Sequence, residues 1–107
     1  MGRCTEHVLR ENGAVPVPES SLSTAQRQVR RVRRDAVGEA IRSARVCAHL
    51  TQARLAELSG VSRPAIARIE TGEASIQIDR LWELAAALNT TPSAILTAAE
   101  QILQGPQ

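Results

Sequence analysis

The sequence predicts an all-α protein. Aliphatic residues recur at the 3.6-residue period of a helix, and the stretches that carry them are bracketed by Ser, Thr, Asn and Gly at positions suited to helix caps. The aromatic content is a single tryptophan, Trp82, so the core must be built from Ala, Leu, Ile and Val, which suits short, closely packed helices better than a sheet. No stretch alternates polar and apolar residues at the strand period. A chain of 107 residues holds one small domain with an extension, and leaves no room for a catalytic domain beside it.

Taken in order, Met1 to Ser21 carries turn and proline signals without a sustained period, and is expected to lack fixed structure. From Ser23 to Arg34 the composition changes to a basic run with Arg27, Arg30, Arg31, Arg33 and Arg34 and no acid until Asp35. Val29, Val32 and Ala36 keep helical spacing, so this piece can continue into the helix of Val37, Ile41 and Ala44, although Gly38 argues against an uninterrupted rod. The expected division is a basic extension over 1–35, disordered or partly helical, and a folded domain over 36–104. Cys47 is read as a small, mostly buried side chain on this helix. His49, between the helix end near Ala48 and Leu50, stands where a left-handed backbone is needed.

Thr51 is a good N-cap, with Leu50 and Leu55 placed as a hydrophobic staple. Gly60 stops that helix and Ser62 opens the next, with Val61 and Ile66 as its staple. Ile66 and Ile69 face inward, leaving Arg63, Pro64, Ala67 and Arg68 outside. After Gly72, the stripe Ile78, Leu81, Leu84, Ala85, Leu88 predicts a further helix ended by Asn89. Thr91 caps a last helix with Pro92 at its first position, and Ile95, Leu96 and Ile102 as its apolar residues, closed by Gly105 and Pro106. The count is five helices between about Val37 and Gln104.

Two short helices joined by a tight turn over Thr51 to Gly72 have the geometry that lays the second helix in a DNA major groove, its N-terminal residues toward base edges. The net charge of +2 is compatible with that but does not require it. The complete absence of lysine reads as a genome-composition effect. The arginine run reads either as a solvated helix face or as a nucleic-acid arm, and its place next to a candidate DNA reader favours the arm. Cys4, Cys47, His7 and His49 share no metal-ligand spacing, so free thiols in a reducing compartment are expected, with no metal and no cofactor. No nucleophile with a base and no glycine-rich phosphate loop is present, so an enzyme is not expected. Without a membrane-length apolar run or a signal-peptide core, a cytoplasmic protein is expected.

Val37-Gly-Glu-Ala-Ile-Arg-Ser-Ala-Arg, the whole of Leu50 to Gly72, and Leu81-Trp-Glu-Leu-Ala-Ala-Ala-Leu together resemble the Cro/C1-type helix-turn-helix family, also called XRE, over about Val37 to Leu96. The resemblance implies a compact five-helix, lambda-repressor-like DNA-binding domain that acts as a homodimer on a palindromic operator. It implies that Gln52 binds a phosphate and braces the recognition helix, and that Arg45 and Glu70 form a structural ion pair. Arg63, Pro64 and Arg68 fall on base-contacting positions, with Arg63 the best candidate for reading guanine. The expected phosphate-contacting set is Thr51, Gln52, Ser62 and Ala67, joined by Arg30 and Arg31 from the basic run. Two departures stand out: the family often carries a basic residue just after the glycine that ends the recognition helix, whereas this chain has Glu73, and Pro64 can offer a base only an apolar contact, for example to a thymine methyl. Trp82 and Ile102 are candidates for dimer contacts, and packing over the fourth helix alone is an equal reading of Trp82. The function expected is a transcriptional regulator acting as a repressor. The alternative is an antitoxin-type module that binds a partner protein, such as a toxin, and autoregulates its own operator.

Overall fold

The computed structural model describes residues 22–105, and the segment Met1–Ser21, with Cys4 and His7, lies outside them. Five helices organise the described residues: α1 Thr24–Cys47, α2 Gln52–Ser59, α3 Arg63–Glu70, α4 Ile78–Ala87 and α5 Pro92–Gln104. No strand occurs among the described residues.

The basic run is the first half of α1, a continuous helix of 24 residues, so the boundary expected at 35/36 falls inside an element. A capping box starts it: Ser23 Oγ accepts from the Gln26 amide at 3.1 Å, and Gln26 Oε1 accepts from the Ser23 amide at 2.9 Å. The early turns are exposed, Val29 and Val32 included, and the buried face begins at Ala36 and continues through Ala40 and Ile41. Gly38 does not interrupt the helix. A side chain there would collide with the Ile69 carbonyl oxygen and meet that of Glu70 at 2.7 Å, so the glycine lets α1 lie directly against the end of α3.

Three helices end in the same way. His49 follows α1 at φ 60°, Gly72 follows α3 at φ 80°, and Asn89 follows α4 at φ 58°. In each, the next residue's amide reaches back to a carbonyl of the last turn: Leu50 to Arg45 at 3.1 Å, Glu73 to Arg68 at 2.9 Å and Thr90 to Ala85 at 2.9 Å. This Schellman arrangement pairs carbonyls that a helix end leaves without partners, and it needs a residue that tolerates positive φ. The left-handed conformation expected at His49 is present.

The core is aliphatic, with Ile41, Leu55, Ile66, Leu81 and Leu84 almost wholly buried. At ~1.5–3 kcal/mol for each such side chain, these five supply much of the drive to fold. They join α1, α2, α3 and α4, and Ile95 and Ala99 add α5, which packs most extensively on α1. Two sequence expectations are corrected. Cys47 is exposed, on the rim of a groove between α1 and α5 rather than in the core. Ile78 shares the register of the α4 stripe, but as the first helical residue it stands beyond the covering helices and is 63 % exposed. Leu96, next to the inward-facing Ile95, is partly exposed in a groove that it lines with Arg33 and Val37 of α1.

Candidate nucleic-acid interface

The turn between α2 and α3 follows from its caps. Thr51 Oγ1 accepts from the Arg54 amide at 3.0 Å, and Ser62 Oγ accepts from the Ala65 amide at 3.3 Å. Gly60 takes φ 80° between the two helices, with open space around its α-carbon. Val61 is buried and pins the start of α3 to the core.

On α3, Ala65, Ile66 and Ile69 are buried, Ala67 is half-buried, and Arg63, Pro64 and Arg68 are exposed. Pro64 lies in the first turn, where no intrahelical donor is required of it. The helix therefore presents an arginine-bearing N-terminal face to solvent while its opposite face is fixed.

What fixes its other end is Glu70, the one buried charged residue among the described residues. Its carboxylate accepts from Arg45 Nε at 2.7 Å and Nη2 at 3.0 Å, a bidentate pair, and from Gln52 Nε2 at 3.0 Å. Arg45 Nη1 also donates to the Leu50 carbonyl at 2.8 Å. One carboxylate thus joins α1, the start of α2 and the end of α3. The Glu70 hydrogen bond raises the Arg45 pKa against the lowering effect of burial, and the Glu70 charge adds to the rise. That moves an already strong base further from neutrality, so the guanidinium stays charged throughout any working pH range. Gln52, expected to brace the recognition helix, reaches it through Glu70.

The basic half of α1 meets this site at the loop after α3. Arg31 Nε pairs with Asp35 at 3.1 Å while its Nη2 donates to the Thr71 carbonyl at 3.3 Å. Arg34 Nε donates to the Gly72 carbonyl at 3.0 Å. Glu73, the acid in place of the expected basic residue, accepts from Thr71 Oγ1 at 3.3 Å. Arg30 is exposed on the same helix. The contacts made by Arg31 and Arg34 were not foreseen from the sequence. No local pattern signals them, because the partners stand about 40 positions apart in the chain.

The helix-turn-helix family model matches residues 41–95, from the last two turns of α1 into the first turn of α5. The chain belongs to the Cro/C1-type helix-turn-helix family. The control protein C.SmaI of Serratia marcescens is 38 % identical over 64 residues, which are 60 % of this chain and 76 % of that one. Among solved structures, the clp gene regulator ClgR of Corynebacterium glutamicum superposes with a TM-score of 0.65 at 29 % identity, over 67 % of this chain and 77 % of that one. The restriction-modification controller protein C.AhdI of Aeromonas hydrophila gives 0.57 at 29 % identity, over 58 % of this chain and 94 % of its own. The matched stretch contains the whole of α2, the turn at Gly60 and α3. Among the described residues no group of His, Cys, Asp and Glu gathers to hold a metal, and no helix is long and apolar enough to cross a membrane.

Proposed function

We propose that this helix-turn-helix regulator is a sequence-specific repressor that binds a palindromic operator as a homodimer and reads bases through the helix 62–71. The observation that carries the reading is the asymmetry of α3. Its end is locked to the core by Glu70, and its first turn presents Arg63 and Pro64, followed by Arg68, to solvent. Arg63 supplies two parallel donors for the acceptors of guanine, Pro64 offers an apolar contact such as a thymine methyl, and Arg68 lies one turn further along the groove. Thr51 and Ser62 each accept a capping bond, which leaves the hydroxyl proton for a phosphate. Gln52 and the half-buried Ala67 complete the set on the two helices. Arg30 and Arg31 add phosphate contacts beyond it, with Arg31 half-exposed beside the loop that carries Glu73.

Selection from a random duplex library, followed by fluorescence anisotropy on the selected and scrambled duplexes at several salt concentrations, tests this. Arg63→Ala is expected to cost ~1–3 kcal/mol on the selected duplex and to relax preference at one base position per half-site. Replacing Arg30 and Arg31 by alanine is expected to weaken both duplexes alike and flatten the salt dependence, because fewer counterions are released. An unchanged ratio of selected to scrambled affinity in Arg63→Ala overturns the reading of bases through that residue. Repression specifically requires that the chain lower transcription in vitro from a promoter overlapped by the selected duplex.

A further inference from the structure

We propose that Arg34 is a positioning residue for DNA reading: by holding the Gly72 carbonyl it fixes the exit of the recognition helix, and with it the angle at which Arg63 and Arg68 meet the groove. The inference rests on the base-reading function proposed for α3.

The end of α3 touches α1 at three levels. At Arg45, the bidentate pair holds Glu70. At Gly38, the helix backbones approach so closely that a methyl group would strike the Ile69 carbonyl. At Arg34 and Asp35, α1 meets the turn itself: Gly72 is buried, a side chain on it would strike the Asp35 carboxylate, and its carbonyl accepts from the half-buried Arg34. Arg45 and Arg34 are about three helical turns apart, so α1 grips α3's last turn and the loop after it at two separated points. Two points fix a direction where one leaves a pivot, and Arg31, exposed and 3.3 Å from the Thr71 carbonyl, makes the weaker bond at the second point. Arg68 is directly involved, because its carbonyl accepts the amides of Glu73 and Ala74, at 2.9 and 3.2 Å, in the turn that Arg34 holds. The guanidinium also lies at the carbonyl end of α3, where positive charge is favourable. Arg34 contacts no base in this arrangement. Its effect on reading passes through the backbone of residues 68–74.

The test combines Arg34→Ala and Arg34→Lys, the lysine keeping a charged donor. In the free protein, amide hydrogen exchange at Glu73 and Ala74 is expected to quicken several-fold in Arg34→Ala, with the amides of Leu84 and Leu88 unchanged. On DNA, the ratio of selected to scrambled affinity is expected to fall about three- to tenfold, in line with the net worth of one typical intramolecular hydrogen bond. Arg34→Lys is expected to recover most of both effects. Equal weakening on both duplexes would make Arg34 a phosphate contact and overturn the inference. So would unchanged exchange at Glu73 and Ala74, or a lowered melting point with the ratio intact. A wild-type chain that prefers no duplex overturns the base-reading proposal itself and this inference with it, whereas failure confined to the Arg34 variants overturns this inference alone.

Discussion

At the residue scale the decisive group is Glu70. Its side chain is 2 % exposed and that of Arg45 13 %, so both charges have left water, and their bidentate contact offsets a desolvation cost of several kcal/mol per ion. Removing one partner strands the other. Arg45→Ala is expected to destabilise the fold by ~3–5 kcal/mol in urea unfolding, because Gln52 alone is left to satisfy the buried carboxylate. The double variant Arg45→Met with Glu70→Leu is expected to be more stable than Arg45→Ala, since it buries no unpaired charge. A double variant as unstable as the single one would show that packing volume, rather than charge, sets the cost. The exposed pairs behave differently. Arg54 with Glu57, 2.9 Å apart at 58 % and 67 % exposure, is solvent-screened and contributes little to stability.

At the scale of elements, Gly38 separates intrinsic helix propensity from packing. In an ordinary helix interior, alanine in place of glycine is worth about 0.8–1 kcal/mol. Here the added carbon meets backbone oxygens of α3, which cannot move aside as the end of a flexible side chain would. Gly38→Ala is therefore expected to reverse the usual sign and destabilise by ~1–3 kcal/mol. Each kcal/mol lowers the thermal midpoint of a domain this size by ~4–8 °C. A raised midpoint would mean that α1 shifts freely on α3. The same residue marks the limit of what the sequence discloses. Caps at Thr51, Ser62 and Thr91 and the left-handed site at His49 are local, each decided by a residue and its near neighbours, and they are visible in the chain. The Arg45–Glu70 pair spans 25 positions and was reached only through the family resemblance. The bonds from Arg31 and Arg34 to Thr71 and Gly72 span about 40 positions, and both arginines lie outside the stretch that carries the resemblance, so neither local pattern nor likeness exposes them. Cys47 and Ile78 were misplaced for a related reason. Helical period states which residues share a face, not where along the helix the neighbouring elements stop.

At the scale of the whole molecule, the operator proposed above has two half-sites separated by one DNA turn, roughly 34–36 Å, with one protomer on each, because a single helix in the groove reaches only a few base pairs. A two-fold operator demands an isologous interface, in which the same patch serves both protomers. Trp82 and Ile78 lie one turn apart on α4 and are 59 % and 63 % exposed, an apolar pair that α4 does not bury in its own protomer. Ile102, the other candidate, is half-buried beside the groove between α1 and α5 and has less surface to offer. Analytical ultracentrifugation on a palindromic duplex is expected to show two protomers per duplex. Trp82 is the one tryptophan, so its emission reports on this patch alone, and a shift to the blue is expected as the second protomer covers the ring. Trp82→Arg is expected to leave helical content intact and to lower the stoichiometry to one protomer at the concentrations where the wild type binds as two. A one-to-one wild-type complex on the palindrome would overturn the dimer. Two protomers with unshifted Trp82 emission would instead place the interface elsewhere, at Ile102 and the α1–α5 groove.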